Sequence, residues 1–521
     1  MLGFHRRQRS LIPVKDLAKY DKLPVVWEEE EEETDCKMSL DAPEAGQKQL
    51  TLIYIVFLAE AIMAASLQPQ LKMLLSTDDF CGDLSSSYLR SILDCAYAFG
   101  GTAGILWGCL ADRVGRRPVA LAGLFGMSIC CMAMGLATSL GSCAVFRFVA
   151  GLVSSAVTVT ALTMIGDISS TPVERAVNVA RLPLVAVCGS IGPLVQGMVA
   201  GRIKADGAVW QKFPALSSQI ACGSLVFLVA VSASIMLQET LPTQGDPSES
   251  MDMDCEKAAF LGQANDDIAN SVAIRIVDCV KPEPISIGQF IQAPSLLTLL
   301  ASFSLLSLHA STFDVLLPHA GHSSTQHGGM GIPCSWLEVT VLLVRAIAGL
   351  VVLRTVPQAV EKLGLLKPFR SCSLLFPAIY VLTPALAYLV ACSTTLTALI
   401  STASILTKHI LANSAQTLVA LLMLNAAPDA FSAGTIVGLM QVASLFKALA
   451  VAVSGASFYL SDDLSVAATN CALWSALSFF GVAGAALAWF VRESPSVERD
   501  FPAEVLKWET CFDAEGLGSG M

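Results

Sequence analysis

GCLADRVGRRP, residues 108–118, packs one aspartate and three arginines into six positions between flanks that are almost purely apolar. The flanks decide how it is read. Apolar residues make up 54% of the 521 and charged residues 14%, and the mean hydropathy is +0.63. A soluble domain carries roughly 45–50% apolar and about 25% charged residues, so lipid solvates most of this chain. A membrane-spanning helix needs about 20 apolar residues at about 1.5 Å each. Twelve such runs can be counted, at about 50–73, 88–110, 118–138, 141–163, 180–201, 215–237, 290–316, 334–354, 370–391, 394–424, 431–459 and 467–491. The fold class predicted is an all-α integral membrane protein of twelve transmembrane helices in two six-helix bundles, and the opening stretch is the loop between spans 2 and 3.

The polar stretches set the domain plan. Residues 1–49 form a polar tail with the acidic run Glu28 to Glu33, 50–237 the N-terminal bundle, 238–289 a linker, 290–491 the C-terminal bundle and 492–521 a second tail. No apolar core of signal-peptide type precedes the first span. Lys and Arg concentrate in the loops between even and odd spans: Arg113, Arg116 and Arg117, then Arg175 and Arg181, then Arg354, Lys362, Lys367 and Arg370. The positive-inside rule therefore assigns these loops, the linker and both tails to the cytoplasm. The loop between spans 5 and 6, with Arg202, Lys204 and Lys212, runs against that trend.

Several classes of function recede on composition. Most of the sixteen cysteines, such as Cys95, Cys109, Cys130, Cys131 and Cys188, fall inside spans, where a thiol packs as a small hydrophobe. No metal or cofactor is expected. The net charge of −11 argues against nucleic acid as a partner. No nucleotide-binding Gly-rich loop is present, and no nucleophile-and-base or metal-ligand spacing points to an enzyme.

The loop itself reads as G-x-x-x-D-R-x-G-R-R. Glycines allow a tight reversal between helices, an aspartate can meet the positive N-terminal end of a neighbouring helix, and arginines hold the loop at the inner face. This pattern, on Gly108, Asp112, Arg113, Gly115, Arg116 and Arg117, resembles the signature loop of the major facilitator superfamily. In that family the loop latches the two halves together in the outward-facing state. RFVAG, Arg147 to Gly151, resembles the family's second motif in span 4. GSIGPLVQG resembles its antiporter motif in span 5, on Gly189, Gly192, Pro193 and Gly197, with Gln196 where a glycine is usual. LAEAIMAA around Glu60, GRRPVALAG, VERAVNVARLPLVAVCGSIGP and LNAAPDAFSAGTIVGLMQ are similar to a fungal multidrug-type, drug:proton antiporter-like group. The chain departs from that group at VSSAV in span 4, at Ala61 and at Lys447.

Charges inside the spans point to mechanism, because a charge at the bilayer centre costs a few kcal/mol even on lenient scales. Glu60, about ten residues into span 1, is the first proton-carrier candidate, with Arg147 as its partner and Asp94 as a second acid; the alternative is a static network that fixes helix register. The second half offers His309, Asp314, Lys408 and Lys447 as residues of a substrate cavity, with Arg345 and His409 nearby. His309 is also readable as packing, and Lys447 as the partner of an acid or of an anionic substrate group. Gly100, Gly104 and Gly108 recur at four-residue spacing, which lets helices approach closely. Pro193 is expected to bend span 5.

The function expected is secondary active transport by alternating access, as proton-coupled efflux of small amphipathic compounds. An uncoupled facilitator or importer of the same fold is the alternative, and a membrane sensor or enzyme a third class. The partners expected are a small-molecule substrate, protons and the lipid bilayer, with the chain a monomer. The location expected is the plasma membrane, or the vacuole or another internal membrane.

Overall fold

The computed structural model describes residues 42–67, 71, 86–202, 212–241, 293–322, 334–389, 394–427, 430–460 and 466–492. The run Glu28 to Glu33, the linker beyond residue 241, Lys204 and the C-terminal tail lie outside the described residues.

Apolar runs of this length fold as helices because lipid offers no partner for backbone N–H and C=O groups. Twelve passes result. Span 1 is the helix Ala42–Ala65. Span 2 joins Ser86–Gly101 to Gly104–Val114. Spans 3 and 4 are Arg116–Met134 and Leu140–Ile168. Span 5 is Pro172–Ala180, Leu182–Cys188 and Ile191–Arg202, and span 6 is Leu216–Met236. In the second half, spans 7 to 10 are Pro294–His322, Cys334–Leu363, Leu366–Leu389 and Thr394–Asn425. Span 11 joins a short 3-10 turn, Ala430–Ser432, to Ala433–Met440 and Ala443–Leu460, and span 12 is Val466–Phe490. Among the described residues, ten of these passes are long and apolar enough to cross a membrane by length and composition. Spans 9 and 10 are helices of 24 and 32 residues.

The breaks have local causes. Span 5 is interrupted twice, and each of its three helices carries a proline in its first turn, at Pro172, Pro183 and Pro193. There the missing N–H leaves no hydrogen bond unmade. The turn between spans 2 and 3 is a single residue, Gly115, at φ 114°. A side chain at that φ is strained, and a Cβ would also come within 2.6 Å of Glu239 Oε2. The turn between spans 8 and 9 uses Gly364 at φ 75° in the same way.

The glycine repeat of span 2 divides its work. Gly100 presses on span 4 within its own bundle, where a Cβ would collide with the Phe148 carbonyl; Gly151 of span 4 meets the Tyr97 carbonyl in return. Gly104 and Gly108 face the other bundle instead, against Gln441 and the Gly434 carbonyl of span 11. The same stripe thus serves static packing at one end and the interface between bundles at the other. Span 5 makes the second inter-bundle contact: Gly349 of span 8 sits against Leu184, and Arg175 Nη1 donates to Asn425 Oδ1 of span 10 at 2.8 Å.

Two substitutions should separate these roles. Gly100→Val is expected to lower the yield of folded protein sharply, measured as monodisperse material after detergent extraction. Gly108→Val is expected to fold but to hold the bundles apart at the Arg113–Arg117 face, measured by cysteine labelling from that side.

Candidate functional site

The inner face, defined by the Arg113–Arg117 loop, is built around three carboxylates. Glu239, just after span 6, accepts hydrogen bonds from the backbone N–H of Arg116 at 2.9 Å and of Arg117 at 3.0 Å. It thereby caps the N-terminus of span 3, where a negative charge is favoured. The fully buried Arg116 pairs with Asp167 at the end of span 4, and Asp167 also accepts from Thr240 Oγ1 at 2.9 Å. Arg117 Nη2 donates to the Ser234 carbonyl at 2.7 Å. Spans 3, 4 and 6 are thus tied into one frame. Asp112 points the other way, into the second bundle. Its Oδ1 accepts from Gly434 N at 2.8 Å, and its Oδ2 accepts from Thr435 N at 2.6 Å and Thr435 Oγ1 at 2.7 Å. The aspartate therefore fills the amide end of the helix Ala433–Met440. Arg113 is exposed beside it.

The second cluster lies toward the outer half of the N-terminal bundle. Glu60 is five residues from Ala65, where the span 1 helix ends, about 8 Å along the axis. Its Oε1 accepts from Ser154 Oγ at 2.6 Å and from Tyr97 OH at 2.9 Å, and the two hydroxyls are 2.7 Å apart. Arg147 does not reach Glu60 directly. Its guanidinium stacks 4.5 Å from the centre of the Tyr97 ring, and its Nη2 lies 2.9 Å from the Ala64 carbonyl and 3.5 Å from Asp94 Oδ1. The partner of Arg147 is thus Asp94 rather than Glu60, with Tyr97 interposed, because the aromatic face satisfies the cation where a second carboxylate was expected. Asp94 also meets Arg90, one turn away, at 3.6 Å.

The antiporter-motif residues press on the same place. A Cβ on Gly189 would lie 2.5 Å from Ala61 Cβ, and one on Gly192 would lie 2.8 Å from the Ile62 carbonyl. Span 5 can therefore approach the residues beside Glu60 only because these positions lack side chains. Gly197 falls in the same helix as Pro193. The amide of Gln196, fully buried, has no hydrogen-bond partner among the described residues.

In the second bundle, Lys408 Nζ donates to Asp314 Oδ1 at 2.5 Å and to the Ala310 carbonyl at 3.1 Å, 4.7 Å from the centre of the Phe313 ring. His409 Nε2 lies 3.9 Å from the same Asp314 oxygen. His309 is buried, with Nδ1 at 2.8 Å from Tyr380 OH and its ring edge-on to Phe376. Lys408 and His309 are thus enclosed within the bundle, and Asp314 and Lys447 are the members of this set with accessible surface.

Sequence reasoning passed over Tyr97, Ser154, Asp167, Glu239 and Asn425. Helical spacing held a signal for two of them: Tyr97 is three residues from Asp94, and Ser154 is seven from Arg147, so each shares a face with a residue already singled out. Ser154 also falls inside VSSAV, where the chain departs from the pattern of the multidrug-type group.

The family model described as Major Facilitator Superfamily matches residues 50–452. Among curated proteins, the chain is 22% identical over 515 residues to the major facilitator superfamily multidrug transporter mfsB of Aspergillus fumigatus, covering 86% of this chain and 84% of the relative. It is 29% identical over 147 residues to the efflux pump azaK of Aspergillus niger, covering 28% of this chain and 30% of the pump. Its fold matches the crystal structure of the human organic anion transporter MFSD10 (TETRAN) with a TM-score of 0.60 at 14% identity, over 85% of this chain and 99% of that one. The last likeness speaks for the fold alone. A family match over most of the chain, twelve helical passes and the span 2 to 3 signature residues with Asp112 seated on the second bundle agree: the chain is a multi-pass membrane protein that belongs to the major facilitator superfamily of transporters.

Proposed function

We propose that the protein is a proton-coupled exporter of small amphipathic compounds, a monomer that works by alternating access in the plasma membrane or an internal membrane. The observation that carries this reading is the Glu60 cluster: an intramembrane carboxylate held by two hydroxyls, with the cation Arg147 kept one aromatic ring away. A carboxylate in that setting can take a proton without breaking an ion pair, since its donors are neutral. A buried ion pair would hold the charged form far more firmly. Protonation would loosen Tyr97 and Ser154 and so alter the contact among spans 1, 2 and 4. The names of the multidrug transporter and the efflux pump among its relatives favour export.

Alternation needs a closed side, and the inner face supplies it. Asp112 on Gly434 and Thr435 and Arg175 on Asn425 join the bundles there. These contacts would hold the outward-facing form, and they would have to part for the inward-facing one.

Three outcomes are expected. Cells producing the protein should accumulate less of at least one fluorescent amphipathic compound, and an uncoupler that collapses the proton gradient should erase the difference; higher accumulation that survives the uncoupler would instead make the protein a facilitator or importer. Glu60→Gln should remove substrate-driven proton movement in proteoliposomes while leaving the protein folded, and unchanged proton flux would take Glu60 out of coupling. Asp112→Asn should slow transport several-fold and raise cysteine labelling of the inward-open cavity, and unchanged labelling would sink the latch.

A further inference from the structure

We infer that the substrate carries an anionic group, which Arg345 of span 8 and Lys447 of span 11 receive from the wall of the C-terminal bundle; this rests on the transport reading and names its substrate class. Two cations in the membrane lack an ion-pair partner among the described residues. Arg147 meets Asp94, and Lys408 meets Asp314. Arg345 and Lys447 are both exposed, and neither has an ion-pair partner among the described residues. Each lies six residues inside the outer end of its apolar segment, which starts at Val339 for span 8 and finishes at Val453 for span 11. That is about 9 Å along the helix axis. An unmatched cation at such depth is costly unless water or an anion reaches it.

Neighbouring contacts show which way these side chains face. Gly349, one turn inward from Arg345 on the same helix face, packs against the N-terminal bundle, where a Cβ would lie 3.3 Å from Leu184 Cα. Ser444, three residues inward from Lys447 and also on its face, meets Gly101 of span 2 across the other inter-bundle seam, its Oγ 3.3 Å from where a Cβ would stand. Both cations therefore stand just outward of a closed seam, on surfaces turned toward the opposite bundle. Both act on Asp314 electrostatically, and Lys447 also acts on Glu60 across the gap. Two cations turned toward the opposite bundle, each within electrostatic reach of Asp314, suit a carboxylate, sulfonate or phosphate. The guanidinium can grip it with two parallel N–H donors and the ammonium can add a point charge. The acids cannot play the same part toward a cationic substrate so readily. Asp94 and Asp314 already hold Arg147 and Lys408, and the Oε1 of Glu60 already accepts two hydroxyls.

A matched set of probes tests this on the full-length purified protein: a naphthalene sulfonate, the neutral naphthalene sulfonamide and a naphthyl trimethylammonium salt, with binding read by calorimetry. The sulfonate should bind at least tenfold more tightly than the other two. Lys447→Gln or Arg345→Gln should each weaken it about tenfold without changing sulfonamide binding, and Lys447→Arg should keep most of the affinity. Equal binding of the three probes, a preference for the cation, binding by none, or sulfonate affinity unmoved in both glutamine variants would overturn the proposal. Transport of the same probes separates this failure from that of the exporter reading. Uncoupler-sensitive export that ignores head-group charge would leave the exporter and remove the anion site. Sulfonate binding that needs both cations, without uncoupler-sensitive export, would do the reverse.

Discussion

The carboxylate of Asp112 belongs to one bundle and completes a helix of the other. Its three donors include two backbone amides at the start of the helix Ala433–Met440, groups that no helix can satisfy within itself. Hydrogen bonds to a charged acceptor contribute roughly 1.5–3 kcal/mol each, and moving a two-state equilibrium from 1:99 to 99:1 takes about 5.5 kcal/mol. Three such bonds together reach the size of that shift. Much of the inner face serves that contact. Gly108, Gly434 and Gly438 bring the backbones near enough for a short side chain to bridge them. Glu239, Arg116 and Asp167 fix the start of span 3, one glycine beyond the helix from which the aspartate projects.

The membrane layer obeys a different constraint. Where lipid surrounds the chain, a charge has to meet a countercharge, a ring or a hydroxyl, and each bundle arranges this internally. Asp94, Arg147, Tyr97, Ser154 and Glu60 form a set within spans 1, 2 and 4; Asp314, Lys408, His409 and Phe313 form another within spans 7 and 10. Each bundle can then move as a body without breaking its own pairs. Arg345 and Lys447 stand outside that arrangement, with no ion-pair partner among the described residues.

The sequence made the twelve passes legible because apolar runs of about 20 residues have one outcome in lipid. The span 2 to 3 loop was legible because its aspartate, glycines and arginines each meet a separate local demand. The Arg147–Asp94 pair was not, since a sequence shows that charges lie at similar depth but not which ones a ring will separate. Glu239 and Asn425 were invisible for another reason. Each makes its contact more than a hundred residues away in the chain, and each is an ordinary residue for the end of a span. The three-way break in span 5 was half visible: Pro193 announced a bend, while the role of Pro172 and Pro183 in opening their own helices depended on where those helices began.

The two kinds of contact differ in what their rupture exposes, and this explains their placement. Opening the inner face would free a carboxylate, two amides and a hydroxyl at the end of the membrane span, where water can take the place of each lost hydrogen bond. Opening the Lys408–Asp314 pair would leave the enclosed Lys408 charge in the interior of a bundle, where no such exchange is available and the penalty for an unpaired ion is several kcal/mol. A transporter built from rigid halves thus needs its breakable contacts at the water-facing ends and its unbreakable ones at depth. The glycine stripe of span 2 follows the same rule along a single helix, with Gly100 locked against span 4 toward the middle and Gly108 set against the other bundle at the inner end.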